Sequence, residues 1–192
     1  MTTEKSVIRA YFKEWRNQLS GIELQEASQK IAALVEEFCD CHMHIDHFHI
    51  FFPIKRLREI DTYLIRAILE SRNKVIYTAR LNPISTEMET VLIEKQTEFE
   101  PDRYGIPVPK ILKLVSPKSL QVVFTPLLAV DTFGNRIGYG KGHYDRFFEK
   151  LDHKVLKVGL SIFEPIKMIP KESFDIPLDY CITPENTFSF SK

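Results

Sequence analysis

Residues Asp131–Arg146 read DTFGNRIGYGKGHYDR. The stretch holds Gly134, Gly138, Gly140 and Gly142, four of the seven glycines in a chain of 192 residues. Glycine accepts positive φ and places no Cβ between the backbone and a ligand. Arg136 and Lys141 are threaded among these glycines, and Asp145 adds a carboxylate. A short, largely apolar run, Gln121–Phe124, precedes the stretch, and a helical pattern, Tyr144–Leu151, follows it. Strand, basic glycine-rich loop and helix in that order form a cradle for phosphate, because converging N–H groups and a helix N-terminus attract negative charge. A tight turn uses glycine in the same way. The loop is neither a Walker A sequence, since G-x-x-x-x-G-K-[ST] is absent, nor a dinucleotide fingerprint.

Outward from this stretch the chain alternates helical and strand patterns. Residues 4–19 carry Ile8, Tyr11, Phe12, Trp15 and Leu19 at helical spacing, which predicts an amphipathic helix with these side chains inward. Lys5, Arg9, Lys13 and Arg16 form a basic stripe on another face, which by itself reads as solvated surface. Ser20 and Gly21 break the pattern, and a second helix buries Ala27, Ile31, Leu34, Val35 and Phe38. His47–Phe52 alternates as a strand and stops at Pro53. Asp61 can cap a third helix with Leu64, Ala67 and Ile68 inward. Further strands are predicted at Lys74–Ala79, Thr90–Glu94, Gln121–Phe124, Val155–Ile162 and Asp179–Thr183. Glu100–Lys110 contains three prolines and a glycine, which predicts an irregular loop long enough to be functional. The alternation implies one three-layer α/β/α domain over residues 1–192, Rossmann-like, with a mostly parallel sheet. Such folds bind ligands beyond the carboxyl ends of their strands, which is where the glycine loop is expected.

Hydrophobic residues make up 44% of the chain and charged residues 27%, as in ordinary globular proteins. Formal net charge is zero, so no global field advertises nucleic acid or an anionic membrane as a partner, and attraction for phosphate must come from local cations. Three cysteines, Cys39, Cys41 and Cys181, lack framework spacing and indicate a reducing compartment. The N-terminus lacks the apolar core of a signal peptide, and no apolar stretch is long enough to span a bilayer, so a cytoplasmic location is expected. The segment Cys39–His49, CDCHMHIDHFH, invites a zinc reading, but it has no C-x-x-C and no second ligand pair downstream. His47 and His49 are instead expected to line one strand face.

The full string FTPLLAVDTFGNRIGYGKGHYDRFF is much more specific than its glycines. It resembles the signature of the 5-formyltetrahydrofolate cyclo-ligase family, with Pro126, Asp131, Gly134, Arg136, Gly138, Gly140, Gly142, Tyr144 and Asp145 in register. Lys5 and Arg9 match an N-terminal K-x-x-x-R, and Glu59–Thr62 a central E-I-[DE]-T. Tyr104–Pro109 matches Y-G-I-P-x-P, and Asp175–Asp179 a terminal D-x-x-[LM]-D. The resemblance spans nearly the whole chain in order.

The resemblance implies a ligase that uses ATP and Mg2+ to close 5-formyltetrahydrofolate into 5,10-methenyltetrahydrofolate. It implies that Lys5, Arg9 and the run Arg136, Ile137, Gly138, Tyr139, Gly140, Lys141, Gly142, His143 and Tyr144 meet ATP, with Arg136 and Lys141 acting on the shifting charge. By the same resemblance Asp145 and Asp175 hold magnesium, although Asp175 also suits a turn before Pro177. Phe52, Glu59, Tyr104, Tyr139 and His143 face the folate. Glu59 is equally good structure in a first helical turn, and Tyr104 is equally a loop anchor. The implied partners are small molecules, with no nucleic acid or membrane, and the expected state is a monomer or weak dimer. Two rivals remain: a folate- or nucleotide-binding regulator without turnover, and the phosphosugar isomerase or acyl-CoA transferase class that the fold resembles. Intact Arg136, Lys141 and Asp145 favour catalysis.

Overall fold

The computed structural model describes residues 4–102 and 105–190. Tyr104 lies outside the described residues. Two helices open the chain, α1 at Glu4–Gln18 and α2 at Gly21–Cys41. Ser20 caps α2 with a reciprocal pair of bonds. Its Oγ accepts from Glu23 N at 3.1 Å, and its own N–H donates to Glu23 Oε2 at 2.6 Å. Strand β1 is His47–His49, α3 is Tyr63–Ser71, β2 is Val75–Leu81 and β3 is Met88–Ile93. After the short strands β4 (Phe99–Pro101) and β5 (Pro107–Pro109) come β6 (Val122–Pro126), β7 (Ala129–Val130) and β8 (Arg136–Ile137). Helix α4 is His143–Phe148, and β9 (Leu156–Leu160), β10 (Tyr180–Ile182) and β11 (Thr187–Ser189) complete the order.

Seven strands form the main sheet in the order β11-β10-β9-β6-β1-β2-β3. The five inner strands run parallel, and β3 and β11 pair antiparallel at the two edges. Period-two alternation sends successive side chains to opposite faces. Phe48, Ile50, Val122 and Phe124 join Ile31, Val35, Phe38, Ile65 and Leu69 of α2 and α3 in one core. Val123 and Tyr77 join Phe147 and Phe148 of α4 on the other face. The expected mostly parallel sheet with helices on both sides is therefore present.

Several local expectations are corrected. In α3 the buried residues are Ile65 and Leu69, with Leu64 and Ile68 partly covered and Ala67 exposed. Asp61 accepts from Tyr63 N at 3.1 Å, one position ahead of Thr62, which occupies the cap itself. Glu100–Lys110 is not wholly irregular, because Phe99–Pro101 and Pro107–Pro109 form an antiparallel ladder. Prolines are compatible with it because a two-stranded ribbon leaves alternate N–H positions unused. The glycine loop does not follow β6 directly; the β7–β8 ribbon intervenes. In α1, Tyr11 and Trp15 are exposed while Phe12 and Arg16 are buried. Trp15 stacks flat on Phe163 at 4.3 Å on the outer flank, so it covers the core edge without entering it.

Candidate functional site

The inner strands β1 and β6 are neighbours, and the chain leaves them toward opposite halves of the sheet. This is the switch point at which ligands of doubly wound sheets bind. The segment after β1 carries Glu59, and the segment after β6 carries the glycine loop.

Asp131 builds the approach to that loop. It is fully buried, and its carboxylate accepts from the N–H groups of Phe133, Asn135 and Ile169 and from Asn135 Nδ2, all at 2.8–2.9 Å. Gly134 follows at φ +81°, where a Cβ would lie 2.8 Å from the Leu178 carbonyl oxygen. Gly140 and Gly142 also take positive φ, +84° and +63°. A Cβ on Gly140 would sit 3.2 Å from Arg9 Cζ, so glycine there lets the loop lie directly against that guanidinium. Gly138 has neither constraint. Ile137 turns its side chain into the core beneath α1, leaving only its backbone to the loop.

Within the basic stripe of α1, Arg9 and Arg16 face this loop and Lys5 faces the 172–175 segment, while Lys13 is exposed. Arg9 Nε donates to the Gly138 carbonyl at 2.9 Å. Lys5 Nζ donates to Asp175 Oδ2 at 2.5 Å and Glu172 Oε2 at 2.6 Å, and these carboxylates hold its pKa above the usual value against the opposing effect of burial. Arg16 donates to the Tyr139 hydroxyl at 3.0 Å and to the Leu127 carbonyl at 2.5 Å. Arg16 was not among the predicted site residues. The signal that finds it is helical phase: it lies on the face shared by Lys5, Arg9 and the buried Phe12.

Arg136 and Asp145 meet each other. Arg136 Nη2 donates to Asp145 Oδ1 at 2.7 Å, Nη1 donates to the Ile176 carbonyl, and the guanidinium lies 4.9 Å over the Phe148 ring. Burial pushes the Arg136 pKa down, and Asp145 opposes that. The two predicted magnesium carboxylates are asymmetrically engaged. Asp145 accepts at Oδ1, from Arg136 and from Ile176 N, and Asp175 accepts at Oδ2, from Lys5 and from Glu172 N. Asp145 Oδ2 and Asp175 Oδ1 accept nothing among the described residues. No group of three His, Cys, Asp or Glu there could hold a metal. A nucleotide-borne magnesium asks for only one or two carboxylates, so the two unused oxygens fit it.

Glu59 is buried, and its Oε2 accepts from Ile54 N at 2.8 Å. Desolvation raises its pKa, opposed by the Ile54 N–H, Arg16, Tyr139 and Arg56. Tyr139 faces it as a neutral phenol, held protonated by burial and by the Glu59 charge. Tyr144 is held protonated in the same way, chiefly by burial. Phe52 is packed between Tyr63 at 5.0 Å and Phe99 at 4.3 Å, in the same core cluster as Ile60, the residue after Glu59. His143 pairs with Arg146 Nη2 at 3.1 Å, and burial lowers its pKa. Lys141 is exposed and forms no ion pair among the described residues.

The histidine-rich segment is dispersed. His42 stacks on Phe38, His47 bonds the Tyr77 hydroxyl at 2.9 Å, and Cys39 is buried while Cys41 is exposed. His49 is fully buried beside Tyr144 and Phe147, and neither ring nitrogen has a hydrogen-bond partner among the described residues. Burial pushes its pKa down to about 4. Below about pH 6.5 an unfolded histidine gains a proton that the folded one refuses, so stability falls as pH drops toward 4, by roughly 3 kcal/mol at the end of that window. His49→Phe is expected to remove this dependence. Urea midpoints at pH 7 and pH 4.5 check it, and an equal acid loss in both proteins would contradict it.

These features describe an α/β protein of the doubly wound, ligand-binding class, with cations and carboxylates gathered at the switch point. Residues 1–184 match the 5-formyltetrahydrofolate cyclo-ligase family, and the chain belongs to it. It is thereby an enzyme, and relatives bear the family's name. The 5-formyltetrahydrofolate cyclo-ligase of Haemophilus influenzae is 28% identical over 92% of this chain and 96% of its own. That of Escherichia coli K12 is 34% identical over 69% of this chain and 75% of its own. The NMR structure of Aquifex aeolicus 5,10-methenyltetrahydrofolate synthetase has the same fold, with a TM-score of 0.84 at 24% identity, covering 99% of this chain and 94% of that one. No helix among the described residues is long and apolar enough to cross a membrane.

Proposed function

We propose that this enzyme closes 5-formyltetrahydrofolate into 5,10-methenyltetrahydrofolate, consuming ATP with magnesium and releasing ADP and phosphate. The observation that carries the reading is the inward basic face of α1, with Arg9 bonded to the glycine loop and Lys5 to Asp175, next to the buried Glu59. The six-residue α4 is too short for its dipole to do much, so side-chain cations and loop N–H groups supply the anion binding.

The formyl oxygen is an amide oxygen and a poor leaving group. In the proposed first step it attacks the γ-phosphorus of ATP, an O–P bond forms, and the bond to ADP breaks. The N10 lone pair then attacks the activated formyl carbon and N10 loses its proton. Phosphate departs with the C–O electron pair, leaving the methenyl bridge. Lys5, Arg9 and the 136–144 backbone orient the triphosphate, and Lys141 follows the charge as it moves, which is how phosphoryl transfer is accelerated. Arg136 holds Asp145 in place. Magnesium, when bound at Asp145 and Asp175, neutralises phosphate charge. Glu59 accepts from the pterin N–H donors, with Tyr139 and His143 at the junction of folate and nucleotide.

Glu59→Gln removes the charge and keeps the shape. It is expected to raise KM for 5-formyltetrahydrofolate about tenfold or more while moving KM for ATP less than twofold, since a charged acceptor contributes roughly 1.5–3 kcal/mol. Initial-rate kinetics with each substrate varied checks this. Equal losses for the two substrates would place Glu59 outside the pterin pocket.

A further inference from the structure

Arg16 is an unusual residue to find 3% exposed near the end of an amphipathic helix. Its Nη1 donates to Tyr139 and its Nη2 to Leu127 O, yet its Nε is buried with no partner among the described residues. A buried guanidinium needs a counter-charge, and among the described residues none lies within ion-pair distance. The buried carboxylate whose charge it feels is Glu59. The Tyr139 hydroxyl accepts from Arg16 and faces that carboxylate, so cation, phenol and anion form one relay from α1, through the glycine loop, to the segment after β1.

We propose that Arg16 is a positioning residue for the folate: it keeps Glu59 ionised and fixes the Tyr139 hydroxyl beside it, so that a charged acceptor faces the pterin N–H donors. The inference deepens the proposed function and rests on the assignment of Glu59 to the pterin. Among the described residues the groups that face Glu59 are Arg16 from α1, Tyr139 from the loop, Arg56 and the Ile54 N–H from its own segment, and Tyr144 from α4. Among them Arg16 is the one buried cation. Arg56 stands on a short exposed turn where water screens it. Arg16 touches no reacting atom in this scheme and acts through Glu59 and Tyr139.

The test is calorimetric binding of 5-formyltetrahydrofolate without ATP, from pH 5 to 9. Four proteins are compared: wild type, Arg16→Met, Glu59→Gln and the double variant. Wild-type affinity should fall on the acid side as Glu59 gains its proton. Arg16→Met should move that acid limb at least one pH unit higher and weaken binding at pH 7 about tenfold. In the Glu59→Gln background the same change should weaken binding less than twofold, because the charge it served is gone. A merely structural arginine would weaken binding equally in both backgrounds and leave the limb in place, and that result overturns the inference. Should Glu59→Gln bind the folate as tightly as wild type, the pterin assignment falls and takes the inference with it. Loss of binding in Glu59→Gln with wild-type behaviour in Arg16→Met leaves the assignment standing and rejects Arg16 alone. If Arg16→Met does not fold, Arg16→Lys carries the test: its charge should keep the limb in place while affinity falls about threefold, and a displaced limb would contradict the proposal.

Discussion

Lys141→Ala is expected to lower kcat about 10²-fold, by removing a charge that acts on the transferring phosphoryl group. The unfolding midpoint should stay near that of wild type, because an exposed side chain with no ion pair among the described residues contributes within about 0.5 kcal/mol. The contrast follows from how the residue is held. Its neighbours Gly140 and Gly142 both have positive φ, so backbone geometry rather than packing aims the ammonium. Lys5, Arg9 and Arg136 differ, since each has a protein partner and each variant would mix catalysis with structure. KM for ATP should rise less than kcat falls, as for an interaction that strengthens in the transition state. A Lys141→Ala enzyme with wild-type turnover would make this lysine plain surface.

Asp145→Ala should reduce stability by about 3 kcal/mol, because it strands a guanidinium whose side chain is only 7% exposed. The Ile176 carbonyl and the Phe148 ring would remain in contact with Arg136, and neither carries charge, while the Asp175 carboxylate acts on it only from farther away. The carboxylate is itself 22% exposed, so water reaching it places the loss toward the lower end for a broken buried pair. Asp145→Asn keeps an acceptor oxygen at the same place and should lose about half as much. That milder variant separates the two proposed duties of the residue. Its stability reports the ion pair, and its magnesium titration should shift to higher concentration if Oδ2 meets the metal. Urea denaturation and metal-dependent rates read them independently. An unchanged midpoint in the alanine variant would show that Arg136 does not depend on Asp145, and an unchanged titration in Asp145→Asn would reassign the ligand.

The helices, the inner strands and the order of the motifs were legible because hydrophobic period and punctuation are local properties. The break at Ser20 and Gly21 between α1 and α2 is one such signal, and the alternation through Phe48, His49 and Ile50 is another. What α1 buries was legible only in part: Phe12 is buried as its spacing predicts, with Ile8 and Leu19 partly covered beside it. Tyr11 and Trp15 sit at core-like spacing yet are exposed, and Arg16 is buried in their stead, because Leu127 and Tyr139 supply its hydrogen bonds from more than a hundred positions away. The two-residue strands β7 and β8 and the edge strand β11 were missed, since runs so short carry no period. Within the site the motif names the residues, but not their pairing. Arg136 and Asp145 look like two independent functional groups in the sequence, and only the turn through Gly138–Gly142 brings them to 2.7 Å.

The central claim is an ATP-driven ring closure, and the direct measurement is the absorbance of 5,10-methenyltetrahydrofolate formed by the purified enzyme. With 5-formyltetrahydrofolate, ATP and magnesium together, the methenyl band should grow with one ADP released per product, and omission of any one should abolish it. Product formed at the same rate without ATP, or no product with all three present, would contradict the account.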